Sequence, residues 1–436
     1  MSQRETWTSR VGFILAAVGS AVGLGNIWRF PYMSAENGGA AFLVVYLIAA
    51  ALIGLPAILA EFVVGRETKK NVVDAFRNLG GPAAALIGVV GLFTGFWLLS
   101  YYSVVGGWVI QYMTGSLSGA YFGDPGTYFG QISEGTGTIL YHAIFMAVTI
   151  GIVAAGVEKG IEVGTKIMVP SIAILMIGMA AWAFTLDGAG AGYEYFLSPD
   201  FSVIAENYQS IIPDAVGQAL FSLSLGMGAM VTYASYLDGD DNLLSDGISI
   251  TVLNTFIGVL AGFVVFPLLF AQNIDPGSAG AGAVFVTLAQ AFAELPAGGI
   301  IGFVFFLVLL IAALSSAISL LEVVVSYFVD NFDVSRPILT VGIGIVVFLL
   351  GVPSALSIDT FTMFDRIANN ILLPLGVALT VIFVGWIYGG GAVAELRRGL
   401  GKNSSFGPVW LWHIRIVVFV AVLGTLGLSI MTFMSA

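Results

Sequence analysis

The chain is most constrained by an apolar run that interrupts itself, Gly19-Ser-Ala-Val-Gly-Leu-Gly-Asn-Ile-Trp-Arg-Phe-Pro31. Residues 11–33 are hydrophobic enough to enter a bilayer, yet they hold Gly19, Gly23, Gly25, Asn26, Arg29 and Pro31. An arginine at the centre of a membrane helix costs roughly 3 kcal/mol or more. Unwound backbone is tolerated at that depth only where it is buried in protein or lines a cavity. The segment is therefore expected to be a discontinuous helix whose freed amides and carbonyls face a ligand, as in a transporter or a channel.

Composition agrees with a bilayer setting. Of 436 residues, 58% are hydrophobic and only 9% charged, which no soluble domain matches, so an all-α polytopic membrane protein is expected. The first apolar run continues past Pro31 without a small-residue cleavage site, so no cleavable signal peptide is expected. Cysteine is absent, which excludes a disulfide framework and a thiolate metal site. His142 and His413 are far apart, and no His/Asp/Glu cluster has metal-ligand spacing. The formal net charge of −11 sits in loops such as Asp238-Gly-Asp-Asp241. It reads first as solvated surface and second as adaptation to a salty habitat. Nothing suggests nucleic-acid binding.

Apolar stretches of spanning length recur about eleven times, at 11–33, 40–65, 84–116, 141–156, 164–186, 211–236, 244–271, 298–329, 338–352, 364–388 and 410–433. A shorter apolar stretch at 282–293 reads as a re-entrant or surface helix. Lys and Arg set the orientation. Arg4 and Arg10 precede span one; Arg66, Lys69, Lys70 and Arg77 follow span two; Lys159 and Lys166 follow span four. Arg336 follows span eight, and Arg397, Arg398 and Lys402 follow span ten. With alternating spans all of these share one side, so the amino terminus is expected in the cytoplasm of a cell-membrane protein and the carboxyl terminus outside. Arg29 and Arg366 lie outside the basic loops.

Span six carries a second break of the same kind, Gln218-Ala-Leu-Phe-Ser-Leu-Ser-Leu-Gly-Met-Gly228. Interrupted spans at positions one and six suggest a five-plus-five inverted repeat. A single transmembrane domain, 1–436, would then comprise repeat one over roughly 8–190, repeat two over roughly 208–390 and an extra helix at roughly 410–433. Pro56, Pro170, Pro267 and Pro374 read as kinks.

These breaks carry a recognisable signature. The Gly19–Pro31 run followed by Glu36-Asn-Gly-Gly39, together with Ser222-Leu-Ser-Leu-Gly-Met-Gly, Thr232-Tyr-Ala-Ser-Tyr236 and Leu314-Ser-Ser316, resembles the neurotransmitter:sodium symporter family in its eleven-span prokaryotic form. The resemblance runs from Arg4 to at least Tyr388. It implies the LeuT fold and sodium-coupled symport of an amino acid by alternating access. A substrate sensor or ligand-gated ion pathway on the same scaffold is the alternative. An enzyme is not expected, because no nucleophile–base or metal constellation can be placed.

For the substrate, the amides near Gly23 and Gly25 at the positive end of a half-helix suit a carboxylate. The glycines alone would equally fit close helix packing. The resemblance adds the Tyr102 hydroxyl, which otherwise reads as an interfacial tyrosine, and counts Ala21 and Ser222 among the substrate residues. It implies two sodium sites. The first uses the Ala21 carbonyl, Asn26, Ser222 and Asn254, completed by the substrate carboxylate. The second uses the carbonyls of Gly19, Val22 and Ala312 with the hydroxyls of Ser315 and Ser316. Ala312, Ser315 and Ser316 share one helix face, although two serines in a membrane helix otherwise bond back to their own turn. A chloride would match Tyr46, Gln218, Ser222 and Gly258; either chloride binds, or an acid such as Asp214 substitutes. Arg29 and Asp365 match an outer gate, and Arg4 and Asp330 an inner gate beside Trp7 and Tyr236. Arg4 and Asp330 could equally be solvated charges. Glu61 is expected to receive amides freed by the break in span six, and Glu322 to be structural. Leu98, Phe221, Ser224, Met227, Ser316, Ser319 and Leu320 map to the side-chain pocket. Their lining is uncharged, which implies a neutral hydrophobic amino acid, aliphatic or aromatic, since Met227 adapts to several shapes. Phe285 maps to a lid. Oligomeric state is open.

Overall fold

The computed structural model describes residues 5–239, 241–276, 281–401 and 404–435, which are helical with no strand. Among them nine helices are long and apolar enough to cross a membrane, and Arg10–Ala21 with Gly25–Glu36, bent by 49°, makes a tenth. The eleventh expected span is present as Phe201–Ser222 and Ala229–Ala234. It falls short of that measure because residues 223–228 split it and because Glu206, Asn207, Gln209 and Asp214 make its first half polar. The same polarity hid its start at Phe201, ten residues before the expected 211. The helix bends at Asn207 (φ −118°, ψ 21°). Spans four and ten also begin earlier than expected, at Thr136 and Ile358. The short helix expected at 282–293 is Ala281–Ala293.

The two broken spans lie at the centre. Span one packs on spans five, seven and eight (Val157–Ala183, Leu243–Ala271, Gly298–Asn331), and span eight runs along span three (Pro82–Ser118). The most apolar stretch of span seven is 67% buried, whereas that of Phe406–Met431 is 22% buried. Span eleven is therefore a peripheral addition to a central bundle.

Three five-residue π turns, Gly25–Arg29, Ala50–Gly54 and Ala368–Leu372, each end two residues before a proline: Pro31, Pro56 and Pro374. Proline has no N–H, and its ring collides with the carbonyl four residues back. Widening the preceding turn carries that carbonyl away, so the helix passes the proline without ending. Pro170 and Pro267 sit inside helices.

The break in span six is fixed by positive-φ residues and by a carboxylate. Ser224 (φ 54°), Gly226 (φ 80°) and Gly228 (φ 76°) turn the chain out of the helix. Ser224 is strained there for an L-residue, and its Oγ is tied to the Ser20 carbonyl at 2.8 Å. The buried Glu61 accepts the Gly226 amide at 2.7 Å, as expected from the sequence. Span ten closes on the same segment: a Cβ on Gly376 would overlap the Gly226 carbonyl oxygen, whereas one on Gly151 in span four would meet nothing within 4 Å. Gly376→Ala should therefore force backbone apart and cost about 1–3 kcal/mol. In detergent its thermal unfolding should begin several degrees below wild type, while Gly151→Ala unfolds as wild type does.

Candidate functional site

Unwinding span one at residues 22–24 leaves backbone groups that other elements must satisfy. The Leu24 amide donates to the Tyr102 hydroxyl at 3.2 Å. The Ser20 carbonyl accepts Ser224 Oγ from span six at 2.8 Å and Ser316 Oγ from span eight at 2.9 Å. The Gly25 carbonyl accepts Gln218 Nε2 at 2.8 Å. Gly23 is wedged between spans three and eight: a Cβ there would overlap Ser316 Oγ and lie 2.9 Å from the Tyr102 hydroxyl. At Gly25 it would press on the Phe221 ring at 2.8 Å. Only glycine allows these approaches.

A small cavity of about 20 Å³ lies where the two breaks meet. Of the twelve expected substrate residues, Ala21, Gly23, Gly25, Leu98, Tyr102, Phe221, Ser224, Met227, Ser316 and Leu320 line it. Ser222 and Ser319 do not. Ser20, passed over in the sequence, does. Its Oγ donates to Ser319 Oγ at 2.8 Å, and Ser319 Oγ donates to the Ser316 carbonyl at 2.8 Å. One end of the cavity is thus hydroxyl and amide, the other is Leu98, Phe221, Met227 and Leu320, and no charged side chain lines it.

Two groups of oxygens flank the cavity. In the first, one terminal atom of the Asn254 side-chain amide lies 3.2 Å from the Ala21 carbonyl oxygen, 2.9 Å from the Ser222 carbonyl oxygen and 2.9 Å from Asn26 Nδ2. With nitrogen at that position, Asn254 donates to both carbonyls. With oxygen there, three oxygens crowd at 2.9–3.2 Å, a spacing that suits a bound cation and repels without one. In the second, Ser315 Oγ lies 3.3 Å from the Val22 carbonyl and 2.9 Å from that of Ala312. A Cβ on Gly19 would sit 3.4 Å from Ser315 Cβ. Ser316 Oγ points to Ser20 rather than into this group. Apart from the Asn26 amide nitrogen, both sets are uncharged oxygens, the chemistry suited to an alkali cation, and among the described residues no cluster of three His, Asp or Glu could hold a metal.

The four positions considered for chloride separate. Tyr46 Oη and Ser222 Oγ are 3.3 Å apart in the core. Gln218 is turned away, with Nε2 on Gly25 and Oε1 accepting Arg29 Nη1 at 2.6 Å. Gly258 leaves space beside Asn26 and Phe30. Asp214 is one turn from Gln218, where it accepts Asn37 Nδ2 at 3.2 Å. It faces a larger void of about 270 Å³ that Arg29, Asn369 and Thr425 also line, so it does not supply an acid at Tyr46 and Ser222.

Arg29 and Asp365 are not in direct contact. The Arg29 guanidinium bonds Gln218 and lies 5.1 Å over the Phe221 ring. Asp365 accepts Asn369 Nδ2 at 2.8 Å. At the amino-terminal end Arg4 lies outside the described residues. Asp330 accepts the amide of Asn71 at 3.2 Å and its side chain at 3.0 Å. The closure there rests on Trp7, buried, with Nε1 donating to the Tyr233 carbonyl at 2.9 Å and its ring edge-on to Tyr233 and Tyr236. Tyr236 donates to the buried Glu322 at 2.6 Å, Glu322 pairs with Arg336, and Arg336 lies 3.3 Å from Glu5. Glu322 is thus a link in a chain of contacts between span six and the amino terminus. Phe285 is packed among Trp28, Trp108, Tyr112, Phe129 and Phe306.

Known proteins share this sequence and shape. The profile of the Sodium:neurotransmitter symporter family matches residues 4–122 and 131–436. The uncharacterized sodium-dependent transporter YhdH of Bacillus subtilis is 35% identical, over 96% of each chain. The sodium-dependent dopamine transporter of Bos taurus is 27% identical over 94% of this chain and 66% of its own. The crystal structure of MhsT in complex with L-phenylalanine superposes with a TM-score of 0.88 at 41% identity, covering 98% of this chain and all of that one. The chain belongs to the sodium:neurotransmitter symporter family, and is therefore a multi-pass membrane protein with the LeuT fold and a sodium-coupled secondary transporter rather than an enzyme.

Proposed function

We propose that the protein carries neutral, hydrophobic L-amino acids into the cell together with sodium. The observation that carries this reading is the cavity at the crossing of the two breaks, polar at one end, apolar at the other and free of charged side chains. An α-amino acid divides in the same way. Its carboxylate would sit at the Tyr102 hydroxyl and the amides of the unwound span one, where the half-helix dipole favours negative charge. Its ammonium would face the carbonyls of the two breaks, and its side chain Leu98, Phe221, Met227 and Leu320. The likeness to a protein crystallised with L-phenylalanine supports an aromatic or large aliphatic side chain.

Sodium is cargo here. One ion would take the Ala21 carbonyl, Asn26, Ser222 and Asn254, with the substrate carboxylate as its remaining ligand. A second would take Gly19, Val22, Ala312, Ser315 and Ser316. The first arrangement couples the two solutes directly, because each supplies part of the other's site and their affinities rise together. Both ions touch span one at its break, so filling them fixes the angle between its halves. Alternating access then requires that the Trp7 end open while the Arg29 and Asp365 end closes. The amino terminus would lie in the cytoplasm and the carboxyl terminus outside.

In proteoliposomes, an inward sodium gradient should drive uptake of hydrophobic L-amino acids above equilibrium, and potassium should not replace it. Sodium-dependent binding without accumulation would instead indicate a sensor. Asn254→Ala should weaken substrate and sodium binding together, each by roughly tenfold. A variant that loses substrate affinity with unchanged sodium dependence would refute the shared site. The absence of cysteine gives a clean test of the closed end. A single Thr232→Cys, buried in span six, should react slowly with a water-soluble maleimide, and Trp7→Ala should speed that reaction at least tenfold. An equal rate in both backgrounds would mean that Trp7 does not seal that end.

A further inference from the structure

Span eleven contains a cation that the pattern of loop charges did not assign. Arg415 follows Phe406, the first residue of the helix, by nine residues, about 14 Å along the axis at 1.5 Å per residue. Other arginines and lysines at the edges of this bundle meet carboxylates: Arg10 meets Asp246, Lys166 meets Glu162, Arg336 meets Glu322 and Arg398 meets Glu395. Among the described residues no carboxylate pairs with Arg415. Its side chain leans toward the start of the helix, as long helical side chains do. It lies along the end of span ten, with Nε donating to the Gly385 carbonyl at 2.6 Å. That carbonyl belongs to the π turn Phe383–Ile387. The guanidinium carbon is 5.2 Å from the centre of the Trp412 ring. Two glycines make the path: a Cβ on Gly385 would touch Arg415 Cγ at 3.5 Å, and one on Gly389 would come within 3.2 Å of Nη2.

Arg415 thus presents a half-buried guanidinium, fixed through Nε and the ring, with Nη1 and Nη2 making no hydrogen bond to the described residues. Its surroundings face lipid. Trp412 is 60% exposed and Trp386 49%, and Val409, Ile387 and Ile416 are exposed beside them. Exposed tryptophans on a lipid-facing surface are the mark of the headgroup level. An unneutralised cation there seeks an anion, and a guanidinium fork matches the two oxygens of a phosphate.

We infer that Arg415, with Trp412 and the Gly385–Gly389 edge of span ten, binds the phosphate of an anionic phospholipid in the leaflet next to Arg397 and Arg398. The two Nη groups donate to the phosphate oxygens, and the acyl chains run along span eleven over Ile416. The lipid would hold span eleven, the least buried of the spans, against the bundle.

The test uses the full chain purified with equal amounts of phosphatidylglycerol and phosphatidylcholine and examined by native mass spectrometry. Wild type should retain phosphatidylglycerol over phosphatidylcholine by at least fivefold, and Arg415→Gln should lose one tightly held phosphatidylglycerol. Arg415→Lys, which keeps the charge but not the fork, should hold it at least threefold more weakly. Added phosphatidylglycerol should raise the melting temperature of wild type, with phosphatidylcholine giving no rise. These last two comparisons decide the matter if Arg415→Gln does not fold. Equal retention of both lipids by wild type, an Arg415→Gln protein that keeps the same phosphatidylglycerol, or Arg415→Lys binding as tightly as wild type would overturn the inference.

Discussion

Everything at the centre of this protein depends on how the carbonyl of Ser20 and its neighbours are satisfied. A helix broken inside a membrane exposes donors and acceptors that cost several kcal/mol each if left unpaired. Span one solves this with side chains from three other spans: Tyr102 on the Leu24 amide, Ser224 and Ser316 on Ser20, and Gln218 on Gly25. These bonds join span one to spans three, six and eight at one level. Three of those side chains, Tyr102, Ser224 and Ser316, are uncharged and also line the cavity. An ion or a zwitterion arriving there can exchange partners with the protein rather than strip bare backbone.

The second break answers the first. Ser224 is held in a left-handed conformation by its bond to Ser20, and Gly226 is held by Glu61. Neither broken span could keep its shape without the other. The same spans lead to the closed end, because span six continues through Tyr233 and Tyr236 to Trp7 and through Glu322 and Arg336 to Glu5. A change of angle at the cavity would therefore be carried along span six to the contacts that seal the amino-terminal end. That is a physical path between solute binding and access, made of named bonds rather than of distance alone.

Much of this was legible in the residues. Gly23, Gly25, Asn26 and Arg29 do not suit an ordinary membrane helix, and the chain unwinds at residues 22–24 and widens into a π turn over Gly25–Arg29. Glu61 is legible as a receiver of amides because a carboxylate in an apolar span needs donors, and it accepts the Gly226 amide. Ser20 was not legible, since serines in membrane helices usually bond to their own turn and nothing in the sequence marks one that bridges spans. The start of span six is obscured because Glu206, Asn207 and Gln209 are exposed polar residues on a stretch that bends at Asn207, which breaks the apolar run a span is recognised by. The partner of Arg29 was assigned from resemblance, and Gln218 is a contact no spacing could give. Arg415 was passed over because orientation rules weigh loops and not cations that lie along a span.

The charged groups at the Arg29 end illustrate how such a bundle can alternate. Arg29 is satisfied by Gln218 and the Phe221 ring, and Asp365 by Asn369. If the two acted as a gate, closure would trade these partners for each other. A buried ion pair gains Coulomb energy but loses solvation, and the two nearly cancel. Exchange of one satisfied arrangement for another leaves a small difference between open and closed states. A large difference in either direction would lock the carrier. If the ends balance in this way, the bias comes from whatever occupies the cavity between them, and its walls are the two broken spans that both ends share.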